Sequence, residues 1–213
     1  MKLDQIFLFR IMHIDNIEYV LRLGKFTTYN SEEADPDYVG IGESELINLR
    51  AEHEIITSHT SNKYCPSCEF LPFYFWYKSV MLYRIQTGHK VNKVEPENII
   101  YAVYKLENII DEIEYLFTNG HGYARMTQWY DNIDYLNEVD WDIVKKSQWN
   151  NTEEDTDRQR RKQAEFWIKK DLSLDNIFGL AVYNEVSKDK LDALCKKYNK
   201  TIEVKIKSEY YYD

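Results

Sequence analysis

Arg160-Arg161-Lys162-Gln163-Ala164-Glu165-Phe166-Trp167-Ile168 decides how the chain is read: a basic run gives way to aromatic and aliphatic residues of strand type, with one carboxylate at their front. Taken alone, an acid at a strand edge facing water is the ordinary reading. An acid buried in such a segment would need a chemical reason. The rest of the chain has to decide between the two.

Working outward, Ile6 to Ile11 suits a buried strand, and Asp15 is placed to cap a helix from Asn16 to Leu23, closed by Gly24 in the left-handed conformation. Thr27 to Asp37 is polar, contains Asp35-Pro36 and reads as a loop, continuing past Gly40 and Gly42 to a short ordered piece at Leu46 to Arg50. Phe70 to Tyr77 reads as a strand, and Ser79 caps a helix running to Ile85. Asn98 to Leu106 alternates as a half-buried strand, while Glu107 to Phe117 carries helical spacing at Ile109, Ile110, Ile113 and Leu116. Thr118 to Gln163 shows no clear period, and irregular segments of that length in compact domains are usually functional or disordered. The Glu165 strand follows, then a strand at Ile177 to Tyr183, a helix capped by Ser187 and running to Tyr198, and a last strand from Thr201 to Lys207. Mixed α and β elements without repeats, in a chain of 213 residues with no break in composition, lead us to expect one domain over residues 1–213.

Hydrophobic residues at 44%, charged residues at 30%, 7 Gly and 4 Pro fit a globular chain and exclude disordered or collagen-like classes. A net charge of −9 excludes a broad basic surface for duplex DNA, since Lys and Arg neutralising phosphates dominate such binding. Any nucleic-acid contact must be local, and Arg158, Arg160, Arg161 and Lys162 are its obvious source. Lys196, Lys197 and Lys200 read as a solvated face. Most of the 18 Tyr belong to core and surface packing, although such rings also stack on bases and on nicotinamide. Three cysteines make no disulfide framework, no apolar run approaches the ~20 residues of a membrane span, and the N-terminus lacks a signal-peptide pattern, so the expected location is cytoplasmic. Cys65-Pro66-Ser67-Cys68 with His53 and His59 gives a set compatible with tetrahedral zinc, but in reversed order; free thiols on a loop are the simpler reading, and no metal is expected.

Read in order, Ile11-Met12-His13-Ile14-Asp15-Asn16-Ile17, then Arg50, then Leu71-Pro72-Phe73-Tyr74-Phe75-Trp76-Tyr77-Lys78-Ser79-Val80-Met81-Leu82-Tyr83, and finally Ala164-Glu165-Phe166 resemble the DarT family of bacterial toxins, which attach ADP-ribose from NAD+ to nucleic-acid bases. The resemblance covers most of the chain. It departs at Val80, where the family usually has Pro, and at Lys78, where Arg is common.

The resemblance implies an α+β ADP-ribosyltransferase fold of the PARP and diphtheria-toxin type, with a central split antiparallel sheet surrounded by helices. Glu165 would be catalytic, because losing nicotinamide builds positive charge on the ribose and a carboxylate stabilises it. Arg50 would be the second catalytic residue and would also grip NAD+; guanidinium deprotonates only above pH ~12, so its work is positioning and electrostatics. Met12, His13, Ile14, Asn16 and Leu21 would form the nicotinamide side of the NAD+ pocket, with Tyr29 and Tyr38 stacking on the dinucleotide. By themselves His13 and Asn16 read as structural residues. Residues 118–163 would present the substrate, with His121, Tyr123, Arg125 and Thr127 as contacts and Asp140-Trp141 as a further landmark.

The implied function is mono-ADP-ribosylation of a base in single-stranded DNA, thymidine first and guanosine second, by the toxin of a toxin-antitoxin or phage-defence system. NAD+ would be the co-substrate, and a DarG-like macrodomain antitoxin or another ADP-ribosyl-removing protein the partner. The rival readings are a non-catalytic nucleic-acid-binding module, zinc-stabilised or not, and the same chemistry directed at RNA or protein.

Overall fold

Strand β1 (Phe7–His13) takes a central position because both of its faces are apolar: Leu8 and Met12 point to one side of the sheet, Phe9 and Ile11 to the other. The computed structural model describes residues 2–43, 54–64 and 69–213. Along its length β1 pairs with β6 (Ile99–Lys105), from Phe7↔Lys105 to His13↔Ile99. Its other neighbour, β5 (Phe70–Tyr74), meets it only at Phe9↔Tyr74. Beyond β5 come β9 (Glu165–Lys169), β7 (Tyr115–Thr118) and β8 (Trp129–Tyr130), and beyond β6 come β11 (Ile177–Val182) and β12 (Val204–Ile206). The resulting order is β12-β11-β6-β1-β5-β9-β7-β8, antiparallel except for the β11–β12 pair. Two small ribbons stand apart, β2 (Lys25–Phe26) with β10 (Leu172–Ser173) and β3 (Ile55–Ile56) with β4 (Lys63–Tyr64).

The β1–β5 seam makes this the split sheet expected. Proline at position 72 brings no amide donor to a strand in the middle of a sheet. Arg10 reaches across instead, its Nη1 donating to the Pro72 carbonyl at 3.1 Å while the guanidinium lies 5.9 Å from the Phe26 ring and 6.0 Å from that of Phe73.

One face of the sheet is covered by α1 (Ile17–Leu23) and α5 (Glu185–Lys197), which bring Ile17, Val20, Leu21, Leu191 and Cys195 into the larger core. The opposite face carries two separate apolar clusters. Leu82 and Ile85 of α2 (Val80–Thr87) pack with Phe9, Tyr101 and Tyr211 on one half, and Phe70, Leu116, Trp129 and Trp167 pack together on the other.

Several local expectations give way to tertiary structure. Asp15 does not cap α1: a 3-10 turn at Ile14–Asn16 precedes the helix, and the Asp15 carboxylate pairs with Lys190 at 2.7 Å. Gly24 does close the helix, at φ +79°. The helix expected over Glu107 to Phe117 is instead two 3-10 turns, Leu106–Asn108 and Ile110–Glu112, followed by β7. Leu116 and Phe117 point to opposite faces beside β9, and burial of both outweighs the helical spacing. Strand β5 stops at Tyr74, short of Tyr77. The long segment after Thr118 holds β8, a 3-10 stretch at Ile133–Glu138, α3 (Trp141–Lys145) and α4 (Arg158–Lys162). The ordered piece expected at Leu46 to Arg50 lies outside the described residues.

Ser187 is not the cap of the last helix. The Asn184 Oδ1 accepts from the Ser187 amide at 3.0 Å, and the Ser187 hydroxyl donates to the Glu97 carbonyl at 2.8 Å. We expect Asn184→Ala to lower unfolding free energy by about 1 kcal/mol, measured by urea titration, because it removes this cap.

Candidate active site

Alternation along a strand fixes which side chains share a face. Phe9, Tyr74 and Glu165 are direct partners across three neighbouring strands, so their side chains stand on one face, with His13 four residues further along β1. That is the face on which the two apolar clusters fail to merge. Glu165 therefore stands at the seam, and it is only 4% exposed. It is not the solvated strand-edge acid of the ordinary reading.

Hydrogen bonds to described residues on either side of it help to set its position. The Glu165 amide donates to the Thr118 Oγ1 at 3.0 Å, and that hydroxyl donates to the Gly120 carbonyl at 2.7 Å, which ties the start of β9 to the turn after β7. The Glu165 Oε2 accepts from the Trp167 indole at 2.8 Å. Both glycines in Gly120-His121-Gly122 are required by close approach: a Cβ at Gly120 would lie 2.9 Å from the Arg160 carbonyl oxygen, and one at Gly122 would lie 3.0 Å from the Trp129 ring and 4.0 Å from the Glu165 Oε2. The turn bearing the expected substrate contacts thus lies against the carboxylate. Within it the rings of His121 and Tyr123 are 6.2 Å apart and Arg125 is exposed, whereas the Thr127 hydroxyl accepts from Arg160 at 3.2 Å.

The β3–β4 ribbon flanks this turn. Ser58 exchanges hydrogen bonds with the Trp129 backbone at 2.8 and 3.3 Å, and Asp131 accepts from Thr60, Asn62 and Tyr64 at 2.8, 2.8 and 3.0 Å. Burial opposes ionisation of Asp131, but these donors hold its carboxyl below the ordinary value. His59 stacks on Tyr135 at 4.2 Å; His53, Cys65 and Cys68 lie outside the described residues.

The residues expected around nicotinamide separate into two groups. Met12, Ile14 and Leu21 are core side chains, at most 3% exposed. His13 ends β1 on the seam face, about 13 Å along the strand from the row of Glu165 at ordinary rise, with its Nδ1 accepting from the Asp15 amide at 3.2 Å. Asn16 is buried and clamps the loop beyond α1, donating to the Val39 carbonyl at 2.9 Å and accepting from its amide at 2.8 Å. Farther along the same loop, Glu43 pairs with Arg84 at 2.8 Å. Near the start of the loop, Asp171 accepts from the Thr28 amide and the Ser31 hydroxyl, each at 2.9 Å. Tyr29 and Tyr38 are 77% and 47% exposed on this strap. Arg50 lies outside the described residues. A cleft of about 780 Å³ beside β2 and β10 includes Lys25, Thr28, Ser31 and Asp171, but not Glu165.

The cations of the basic run make contacts within the protein. Arg160 pairs with Asp157 at 2.7 Å, Arg161 with Asp140 and Asp155, and Arg158 donates to the Gln148 carbonyl at 3.1 Å. Lys162 is 3% exposed, its Nζ donating to the carbonyls of Val144 and Lys146 at 2.6 Å each, and burial, helped by Lys78, pushes its pKa down to about 7. The irregular chain before it needs internal donors, and this run supplies them. Asp140 and Trp141 are also structural: Asp140 caps α3 at 3.0 Å, and the Trp141 indole donates to the Leu136 carbonyl at 2.9 Å. Sequence reasoning missed Trp129 and Trp167; the signal for Trp167 was its place two residues after the acid, on the same face.

A family model described as DarT, ssDNA thymidine ADP-ribosyltransferase, matches residues 9–212. The chain belongs to the DarT family. It is 28% identical over 207 residues to a DNA ADP-ribosyl transferase of Escherichia coli O127:H6, covering 96% of this chain and 93% of that protein. It is 24% identical over 208 residues to the Thermus sp. 2.9 enzyme of the same description, covering 96% and 95%. In fold it is similar to Thermus sp. 2.9 DarT in complex with ADP-ribosylated ssDNA, with a TM-score of 0.85, 24% identity and coverage of 97% and 96%. Thermosipho africanus DarTG in complex with ADP-ribose superimposes with a TM-score of 0.74 at 19% identity, over 97% of this chain and 51% of that one. Membership of the DarT family makes this chain a DNA ADP-ribosyltransferase.

Two measurements follow from the geometry. Gly122→Ala should lower the rate of DNA modification by roughly ten- to a hundredfold, because the added methyl displaces the turn from Trp129 and misplacement of about 1 Å is costly; melting temperature should change by only a few degrees. Lys162 titrates near 7 when folded against ~10.4 when unfolded, so between those values the unfolded chain binds more protons and this group makes stability rise with pH. Urea midpoints of the natural protein should therefore climb between pH 7 and 9, and Lys162→Met should lack that part of the climb.

Proposed function

We propose that this DarT family member breaks the bond between nicotinamide and ribose C1′ of NAD+ and transfers the ADP-ribosyl group to a thymine base of single-stranded DNA, with Glu165 as the catalytic carboxylate. The observation that carries this reading is the burial of Glu165 at the open seam, directly under the Gly122 turn. As the C1′–nitrogen bond lengthens, positive charge grows on the ribose; a preorganised carboxylate in a site shielded from water stabilises it more than it stabilises the ground state. Nicotinamide leaves with the electron pair of the broken bond, and the base nitrogen bonds to C1′ as its proton passes to water.

The family description supports thymidine, with guanosine the second candidate. Unpaired DNA is favoured because a duplex hides the base edges from an enzyme that must react with them. Around the reacting centre, His13 and the Asn16-clamped strap would shape the NAD+ pocket, Arg50 would add positioning and electrostatics, and His121, Tyr123, Arg125 and Thr127 of the 118–163 region would face the nucleic acid. Thr127 would serve there through Arg160 and the turn's shape.

Base modification blocks templating, which fits a toxin held in check by an antitoxin that removes ADP-ribose, of the macrodomain type suggested by the longer DarTG chain. Such an enzyme works where DNA is, in the cytoplasm; among the described residues no helix is long and apolar enough to cross a membrane.

Incubation with NAD+ and single-stranded oligonucleotides should release nicotinamide and add one ADP-ribose unit to thymine-containing strands alone. Glu165→Ala should slow this at least about a hundredfold while NAD+ affinity stays within a few-fold, since the carboxylate acts on charge that appears in the transition state. Labelling by Glu165→Ala at the natural rate would remove the central residue from this account.

A further inference from the structure

We infer that Trp167 is the positioning residue for the catalytic carboxylate, and that it works through a neutral indole N–H. The inference rests on Glu165 being the carboxylate that serves the ribose. Trp167 follows Glu165 by two strand positions, so the two side chains emerge on the same face, and the indole Nε1 donates to the Glu165 Oε2 at 2.8 Å. Indole nitrogen is a donor only and does not ionise, so this bond has one polarity and holds at any pH at which the carboxylate is charged.

Neutrality is the chemical point. A lysine or arginine in place of the indole would also orient the carboxylate, but it would set a positive charge against the one that must meet the developing charge on the ribose. The indole helps to orient the carboxylate and adds no charge of its own.

Trp167 is itself immobilised. It is fully buried, the Trp129 ring meets it edge-on at 4.9 Å and 89°, and Phe70 lies 6.2 Å away. Trp129 is held through its backbone by Thr118 in β7 and by Ser58. The same Trp129 ring is the surface on which Gly122 rests. The group that stabilises the ribose and the turn that presents the base are thus both referenced to one pair of indoles, which sets the distance between the two reacting partners.

The test replaces the N–H without changing the shape of the ring. Position 167 is filled with β-(3-benzothienyl)alanine, in which sulfur stands for the indole nitrogen, and Trp167→Phe is made alongside. Turnover of NAD+ with a thymine-containing oligonucleotide should fall about tenfold or more in the benzothienyl enzyme, the usual range for a hydrogen bond to a charged group, with KM for NAD+ essentially unchanged and melting temperature lowered by only a few degrees. Trp167→Phe should lose turnover to a similar extent and also lose stability, because it leaves a cavity. A merely structural Trp167 would lower stability in Trp167→Phe and leave turnover of the benzothienyl enzyme within twofold of the natural rate, and that result overturns the inference alone. If Glu165→Ala works at the natural rate, or the natural enzyme modifies no DNA, the proposed function falls and this inference with it.

Discussion

The structure depends on an interrupted backbone ladder. Strands β1 and β5 share one residue pair, Phe9↔Tyr74, and beyond it a guanidinium rather than a row of amides spans the gap, from Arg10 to the Pro72 carbonyl. A continuous sheet would carry one continuous apolar surface on each face. Here the face bearing Glu165 is broken into two clusters, and the carboxylate stands where they part. The cost of leaving a central ladder incomplete is offset by the aromatic rings around Arg10 and by the full pairing of β1 with β6 on its other side.

Around that opening the irregular chain is braced by side chains rather than by regular hydrogen bonding. Asn16 clamps Val39, Asp171 anchors Thr28 and Ser31, Asp131 gathers three donors from the β3–β4 ribbon, and Arg160, Arg161 and Lys162 hold the approach to β9. The last group turns its side chains to internal carbonyls and carboxylates, in a chain whose net charge is −9.

Much of the fold could be read in advance. The β1 strand, the α1 stop at Gly24, the cap at Ser79 and the position of Glu165 at the head of a strand all rest on short-range rules of periodicity and capping. The misplaced pieces share one feature, a local preference overridden by a distant neighbour. Leu116 and Phe117 have helical spacing but fill a slot beside β9; Ser187 resembles a cap but bonds to Glu97, ninety residues earlier. The basic run before Glu165 has the composition of a phosphate-binding patch, and nothing local reveals that Asp140, Asp155 and the carbonyls of α3 claim it.

By itself the sequence determined that this is an α+β chain of DarT type with an acid inside an aromatic strand, since residue order and side-chain chemistry are sufficient for that. Only the tertiary structure decided that the acid is buried at the seam, that Asn16 grips a loop, and that Gly120 and Gly122 are needed for close packing of Arg160 and Trp129. Those facts depend on distances between residues as many as 91 positions apart, as with Tyr74 and Glu165, and such distances exist only once the strands have paired.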